Sequence, residues 1–272
     1  EGANILSNLG TTNKKEKKAC CFFTLCNRCV MNLIVDVGNT YVKLAVVQEH
    51  KLLWQQKLDP EDFPKVIKKV FKKYPDIQSA IISSVGIFDK KYISVLSIFV
   101  EVHILSHSTE IPFKNSYATP QTLGMDRIAL ATAAFYHNPD ANTLVIDAGT
   151  CITYDMINDY GEYLGGAISP GLRMRYSALN EYTSRLPLLE PVDFHDIIGN
   201  STNAGIHSGV LNGICREIDG VIGQYQSRFE DLTVILTGGD AQILSKRLKN
   251  TIFANSNFLL EGLNYLLEYN KR

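Results

Sequence analysis

Apolar positions fall in short runs whose order along the chain is informative. NLIVDV at 32–37 is almost continuously apolar, YVKLAVV at 41–47 alternates apolar with polar residues, and LLWQQKL at 52–58 makes a third run. NT and QEHK, both turn-forming, separate them, so the three read as an antiparallel meander. Asp59 then stands as the cap of a helix with Pro60 at its first position, carried by the helical spacing of FPKVIKKVFKKY as far as Pro75. IQSAIISSV at 77–85 reads as a buried strand, FDKKYISVLSIF as a helix and VEVHILS as another strand. A meander followed by helix and strand in alternation predicts a mixed sheet with helices on its faces.

The second half repeats the plan. TLVIDAG, CITYDMI and YLGGAIS, with the turn DYGE before the last, form a second meander. GLRMRYSALNEY and the long stretch at 205–229 follow as helices, DLTVILTGG as a strand, and two helices end the chain. Between the halves, IALATAAFY at 128–136 reads as an amphipathic helix. The period is too long for a solenoid and occurs only twice. The expected organisation is two similar lobes facing one another, residues 31–142 and 143–272, behind a separate segment at 1–30.

That segment carries the basic cluster NKKEKK and then CCFFTLCNRCV, with Cys20, Cys21, Cys26 and Cys29. As a signal peptide its apolar part is short, is broken by Asn27 and Arg28, and lacks a small-residue cleavage site. As a zinc site, Cys26 and Cys29 give one C-x-x-C without a second pair at finger spacing. The plain reading is a leader ahead of Met31. Cys151 and Cys215 are isolated, as expected of reduced thiols in a cytoplasmic protein.

Composition narrows the partners. The chain has 272 residues, 45% hydrophobic and 20% charged, with a net charge of −1, which suits a globular protein able to bury a sizeable core. It has no basic excess to collect nucleic acid or anionic lipid. No apolar run approaches the roughly eighteen residues of a membrane span. Small molecules are the expected partners, and an anionic one must be held by local geometry.

A repeated phrase offers that geometry: LIVDVGNT at 33–40 and LVIDAGT at 144–150. An Asp at the end of a buried strand can hold a hard cation. The Gly lets backbone N–H groups approach an anion, and the Thr adds a hydroxyl donor. Two such turns face to face would grip a polyphosphate and its metal. A third turn, LTGGDA at 236–241, joins strand to helix where a nucleoside could rest. These phrases resemble the phosphate motifs of the actin, sugar kinase and Hsp70 superfamily, which shares a duplicated ribonuclease-H-like fold. Alone they leave kinase, phosphatase and chaperone open.

YATPQTLGMDR at 117–127 narrows the choice. Asp126 and Arg127 fall in the first turn of a helix, the end where N–H groups point at an anion. An Asp beside an Arg is ionised near neutral pH and can accept a hydroxyl proton as a phosphoryl group arrives. In isolation, a capping Asp with a surface Arg is the simpler reading.

Together the segments resemble type III pantothenate kinases: DVGNTYVK at 36–43, Tyr117 with GMDR, DAGTCITYD at 147–155, GGAISPGL at 165–172, GNST at 199–202, and LTGGDA. The resemblance runs from Met31 to the C-terminus. It implies an α/β enzyme with a duplicated ribonuclease-H-like, actin-like ATPase fold, two lobes with mixed sheets flanked by helices. The implied reaction is ATP-dependent phosphorylation of pantothenate, the first step of coenzyme A biosynthesis. The resemblance further implies that Asp36, Gly38, Asn39, Thr40 and Lys43 hold the ATP phosphates, with Asp36 near Mg²⁺ and Thr150 reaching ATP. Tyr117, Gly124, Met125, Asp126, Arg127 and Thr202 would contact pantothenate, with Asp126 as general base. Asp147 would bind potassium or ammonium. Gly205, Gly209 and Gly213 recur every four residues and allow close helix approach, which with the resemblance implies a cytoplasmic homodimer whose pocket is completed at the interface.

Overall fold

The computed structural model describes residues 30–38, 41–84 and 90–271. The expectations for the four N-terminal cysteines and for Asn39 and Thr40 concern residues outside these.

Two sheets organise the chain. The first has strands β1 (Met31–Val37), β2 (Val42–Gln48), β3 (Lys51–Leu58), β4 (Ile77–Ser84) and β5 (Glu101–Ile104) in the order β3-β2-β1-β4-β5. β1 runs antiparallel to β2 and β2 to β3, whereas β4 and β5 add in parallel. The second contains β6 (Lys114–Asn115), β7 (Thr143–Ala148), β8 (Cys151–Ile157), β9 (Glu162–Pro170), β10 (Thr233–Thr237) and β11 (Phe253–Ala254), in the order β11-β10-β7-β8-β9-β6. Without β6, its sequence β9-β8-β7-β10-β11 has the same directions as β3-β2-β1-β4-β5. The ribonuclease-H-like plan is therefore written twice. β6, from before residue 143, joins the second sheet by pairing with β9.

Strand parity explains the layers. On β1, Leu33 and Val35 pack outward with β2 residues Val42, Leu44 and Val46, under α1 (Phe63–Lys73) and α2 (Lys90–Leu96). Ile34 points the other way, into a central cluster with Ala45, Val47 and Ile81. In the second sheet Leu144 and Ile146 face an outer layer of α4 (Leu172–Glu181), α5 (Thr202–Gln226) and α6 (Ala241–Ser245), while Val145, Ile157 and Ile235 face the same central cluster. The centre is filled by α3 (Met125–His137) and α7 (Phe258–Asn270), whose apolar residues touch both sheets. Because successive side chains alternate faces, Asp36 and Lys43 share the inner face with Ile34 and Ala45. Asp147 and Asp155 share it with Val145 and Ile157. Sequence parity alone thus aims all four charges at one interlayer space.

Three expectations are corrected. α3 is not amphipathic: every residue from Arg127 to Ala134 is buried, because a helix between two sheets has no solvent face. Asp59 and Pro60 begin a separate 3₁₀ turn, Pro60–Asp62, in which the Asp59 side chain caps nothing. Pro64 would break a helix running on from Pro60, but as the second residue of α1 its missing N–H costs no helical bond. The strand of GGAISPGL extends through Pro170, so α4 starts only at Leu172, with Gly171 as its cap.

Candidate active site

The site begins with two hairpin ends. Asp36 faces Lys43 across β1 and β2, and the turn beyond closes with the Gly38 N–H donating to Tyr41 O at 3.0 Å. In the second copy Asp147 faces Thr153, and the Gly149 N–H donates to Cys151 O at 3.0 Å. The repeats therefore differ in one charge: a lysine stands opposite the first Asp and a threonine opposite the second. Asp36 is buried and Asp147 half-buried. Burial pushes Asp36 up to about 6 despite Lys43, with Asp126 adding to the rise. Asp147 is pushed up to about 7 by burial and by Asp126, Asp36 and Asp155, against the pull of Lys43. The three carboxylates named from sequence are thus close enough to feel one another.

Asp126 enters from α3. Its Oδ1 accepts the backbone N–H of Arg127 at 2.8 Å. Gly124 leaves room for it, since a methyl there would stand 2.3 Å from that same oxygen. The glycine is demanded by the carboxylate and not by its own backbone, which is unstrained at φ −59°. Met125 packs its side chain against the central cluster.

Arg127 differs most from expectation. It is neither on the surface nor paired with Asp126: its Nε donates to Asp155 Oδ1 at 2.7 Å, and its side chain is 6% exposed. Asp155 also accepts from Tyr163 Oη at 2.7 Å and from Thr153 Oγ1 at 2.9 Å. Burial lowers the Arg127 pKa, but the adjacent Asp155 reverses this and holds it above the ordinary range. The Tyr117 ring centroid lies 5.7 Å from the guanidinium carbon. Gly165, at φ +95°, lets Tyr117 sit there, because a methyl would meet its ring at 2.9 Å.

The third glycine turn abuts the second hairpin. Gly238 has φ +97°, and a methyl on it would stand 2.3 Å from Asp147 Oδ1, so packing and site-building coincide at this position. Gly238 and Gly239 line a cleft of about 780 Å³ together with Lys43, Gln55, Lys57, Ser256 and Asn257. A volume of that size is typical of cofactor sites.

Thr150 is exposed on its turn. Thr202 is the first residue of α5, behind the N-cap Ser201. α5 packs on the opposite face of the second sheet from Asp147 and Asp155, and no hydrogen bond among the described residues joins Thr202 to the carboxylates. Among the described residues no three His, Cys, Asp or Glu side chains converge to hold an ion by themselves. No helix among them is long and apolar enough to cross a membrane.

Sequence reasoning missed Asp155, Tyr163 and Ser83. Asp155 lies inside the quoted DAGTCITYD, but a lone Asp in a strand carries no sign of its partner 28 residues away. Ser83 pairs in register with Asp36 across β1 and β4, and its hydroxyl is buried without a hydrogen-bond partner among the described residues.

Comparison with known proteins decides the family. The model of the type III pantothenate kinase family matches residues 32–224. The chain belongs to the type III pantothenate kinase family. It is 52% identical over 241 residues to the type III pantothenate kinase of Christiangramia forsetii, covering 89% of this chain and 99% of that one. With the Flavobacterium johnsoniae type III pantothenate kinase it shares 51% over 239 residues, covering 88% and 98%. A solved Campylobacter jejuni structure described as a Baf family transcriptional activator matches with a TM-score of 0.56 at 22% identity, over 88% of this chain and 98% of that one. At that identity the likeness speaks for the fold alone. As a member of the type III pantothenate kinase family the chain is a phosphotransferase, and the carboxylate cluster beside the cleft is its candidate active site.

Proposed function

We propose that the enzyme transfers the terminal phosphoryl group of ATP to the terminal hydroxyl of pantothenate, the first step toward coenzyme A, as the names of its relatives indicate. The observation that carries the reading is that Asp36 and Asp147, each at the start of a glycine hairpin on the inner face of its sheet, sense Asp126 and Lys43, and that Lys43 also lines the cleft. Phosphoryl transfer demands positioning and neutralised charge more than covalent chemistry from the protein. The cleft from Gly238 to Asn257 takes the nucleotide, and Gly38, Lys43 and Thr150, with Asn39 and Thr40, take its phosphates. Asp126 accepts the proton of the attacking hydroxyl.

Asp36 and Asp147, both pushed up by burial among like charges, form a donor set that a bound cation would relieve. Asp36 suits Mg²⁺ held together with phosphate oxygens and water. Asp147, with no lysine across from it, suits a monovalent cation, potassium or ammonium. When bound, these ions supply the positive charge against which the phosphates develop theirs.

The outer face of α5 supports a homodimer. Methyls added at Gly205, Gly209 or Gly213 would touch nothing within 4 Å, and Ile197 and Ile198 nearby are 72% and 78% exposed. A second copy covering this face would bring Thr202 to the partner's pantothenate site, and the enzyme would work in the cytoplasm. The test is complementation: mixing Asp126→Asn with Thr202→Ala protomers restores turnover only if each pocket draws on both chains, and a mixture no more active than its parts contradicts shared pockets. For the reaction itself, purified enzyme with Mg²⁺, ATP and potassium should form phosphopantothenate, and its absence would refute the reading.

A further inference from the structure

Three donors converge on Asp155, which is fully buried, yet the arginine it binds is left incomplete. Arg127 uses Nε for Asp155, and its Nη2 is buried with no hydrogen-bond partner among the described residues. A guanidinium presents several donors in a rigid fork, and a buried one left empty costs stability unless something fills it. Tyr117 lies over the group and its hydroxyl helps hold the arginine charged, yet Nη2 has no hydrogen-bond partner among the described residues. A two-pronged contact with the carboxylate would engage two nitrogens of the fork. Here the carboxylate holds Nε, and Nη2 is left over.

The pairing also bears on Asp126. Arg127 follows it directly, and an unclaimed guanidinium in the same helical turn would be the natural counter-ion of that carboxylate. Asp155 claims it from β8, so among the described residues Asp126 keeps only a backbone N–H from Arg127. Tyr163 and Thr153 fix the Asp155 carboxylate from β9 and β8 in turn.

We infer that Asp155 is a positioning residue: it holds Arg127 by Nε, leaving Nη2 as a fixed donor to an oxygen of the acceptor substrate and keeping the arginine off Asp126. Because Asp155 already balances the arginine charge, Nη2 suits an amide or hydroxyl oxygen as well as a carboxylate. The inference rests on the reading of this site as the pantothenate site.

The experiment is a mutant cycle in steady-state kinetics with pantothenate and ATP, using Asp155→Asn, Arg127→Gln and the double variant. Asp155→Asn should raise KM for pantothenate roughly tenfold to a hundredfold, the scale of a hydrogen bond to a charged group, while KM for ATP moves less than about twofold. On the Arg127→Gln background the same change should add nothing, since its route is already cut. Equal rises in both KM values, or additive losses in the double variant, would overturn the inference. If Asp155→Asn does not fold because a buried charge is left alone, the double variant, which removes both charges, is compared with Arg127→Gln. Equal pantothenate KM values then support the inference and a further rise overturns it. Wild-type enzyme inert toward pantothenate would instead refute the substrate reading, a result distinct from either.

Discussion

Asp126 makes a single described hydrogen bond, to a neighbouring backbone N–H, so its carboxylate can be altered at little cost to the fold. Asp126→Asn should lower kcat by about a hundredfold or more, the scale of a positioned general base, with Tm nearly unchanged. Gly124 tests the same atom from the other side. Gly124→Ala keeps an allowed backbone but drives a methyl against Asp126 Oδ1. The carboxylate must turn away, and displacement of that order can cost about a hundredfold in rate. We expect kcat to fall while thermal melting stays within a few degrees; an unimpaired Gly124→Ala enzyme would show that Asp126 need not occupy its present position. Asp126, the proposed general base, was singled out by GMDR, but the partner of Arg127 was not legible there. Its partner comes from β8, and adjacency in sequence misleads where two side chains of one helical turn diverge.

At the scale of elements, the strands were readable because their parity is simple. Each of β1, β2, β7 and β8 sends apolar residues to both faces, and the inward charges Asp36, Lys43, Asp147 and Asp155 mark the candidate site. α3 was misread because the small and polar residues in IALATAAFY mimic an exposed stripe. They are small because α7 lies against them: a methyl on Gly262 would stand 1.9 Å from the Ala129 carbonyl oxygen. Gly262→Ala should therefore force the two central helices apart and destabilise the fold by about 1–3 kcal/mol, the usual range for overpacking. Equilibrium denaturation would measure it, and an unchanged midpoint would show that the helices can slide. The two-residue strands β6 and β11 offer no period to detect, and only the sheets they extend reveal them.

At the scale of the molecule, two folds of one plan turn Asp36, Lys43, Asp147 and Asp155 toward the layer between their sheets, and the charge there does not balance. Asp36 and Asp147 titrate in the fold at about 6 and about 7, above their ordinary 3.8. Groups raised in this way contribute stability that is complete below the unfolded value and drains as pH rises through the folded ones. With a chelator present, melting temperature should fall between about pH 4 and 7 through these two groups. Mg²⁺ with ATP and potassium should shrink the fall by binding the ionised forms. A melting profile indifferent to the ions throughout this window would remove both carboxylates from the cation sites.

ADP release reports whether phosphoryl transfer from ATP to pantothenate occurs here with Asp126 as base. The measurement compares wild type with Asp126→Asn, with and without pantothenate, in potassium and in sodium buffer. Release should require pantothenate, depend on potassium, and nearly vanish in the variant. Release that ignores pantothenate, or survives in Asp126→Asn at the wild-type rate, would contradict that assignment of reaction and base.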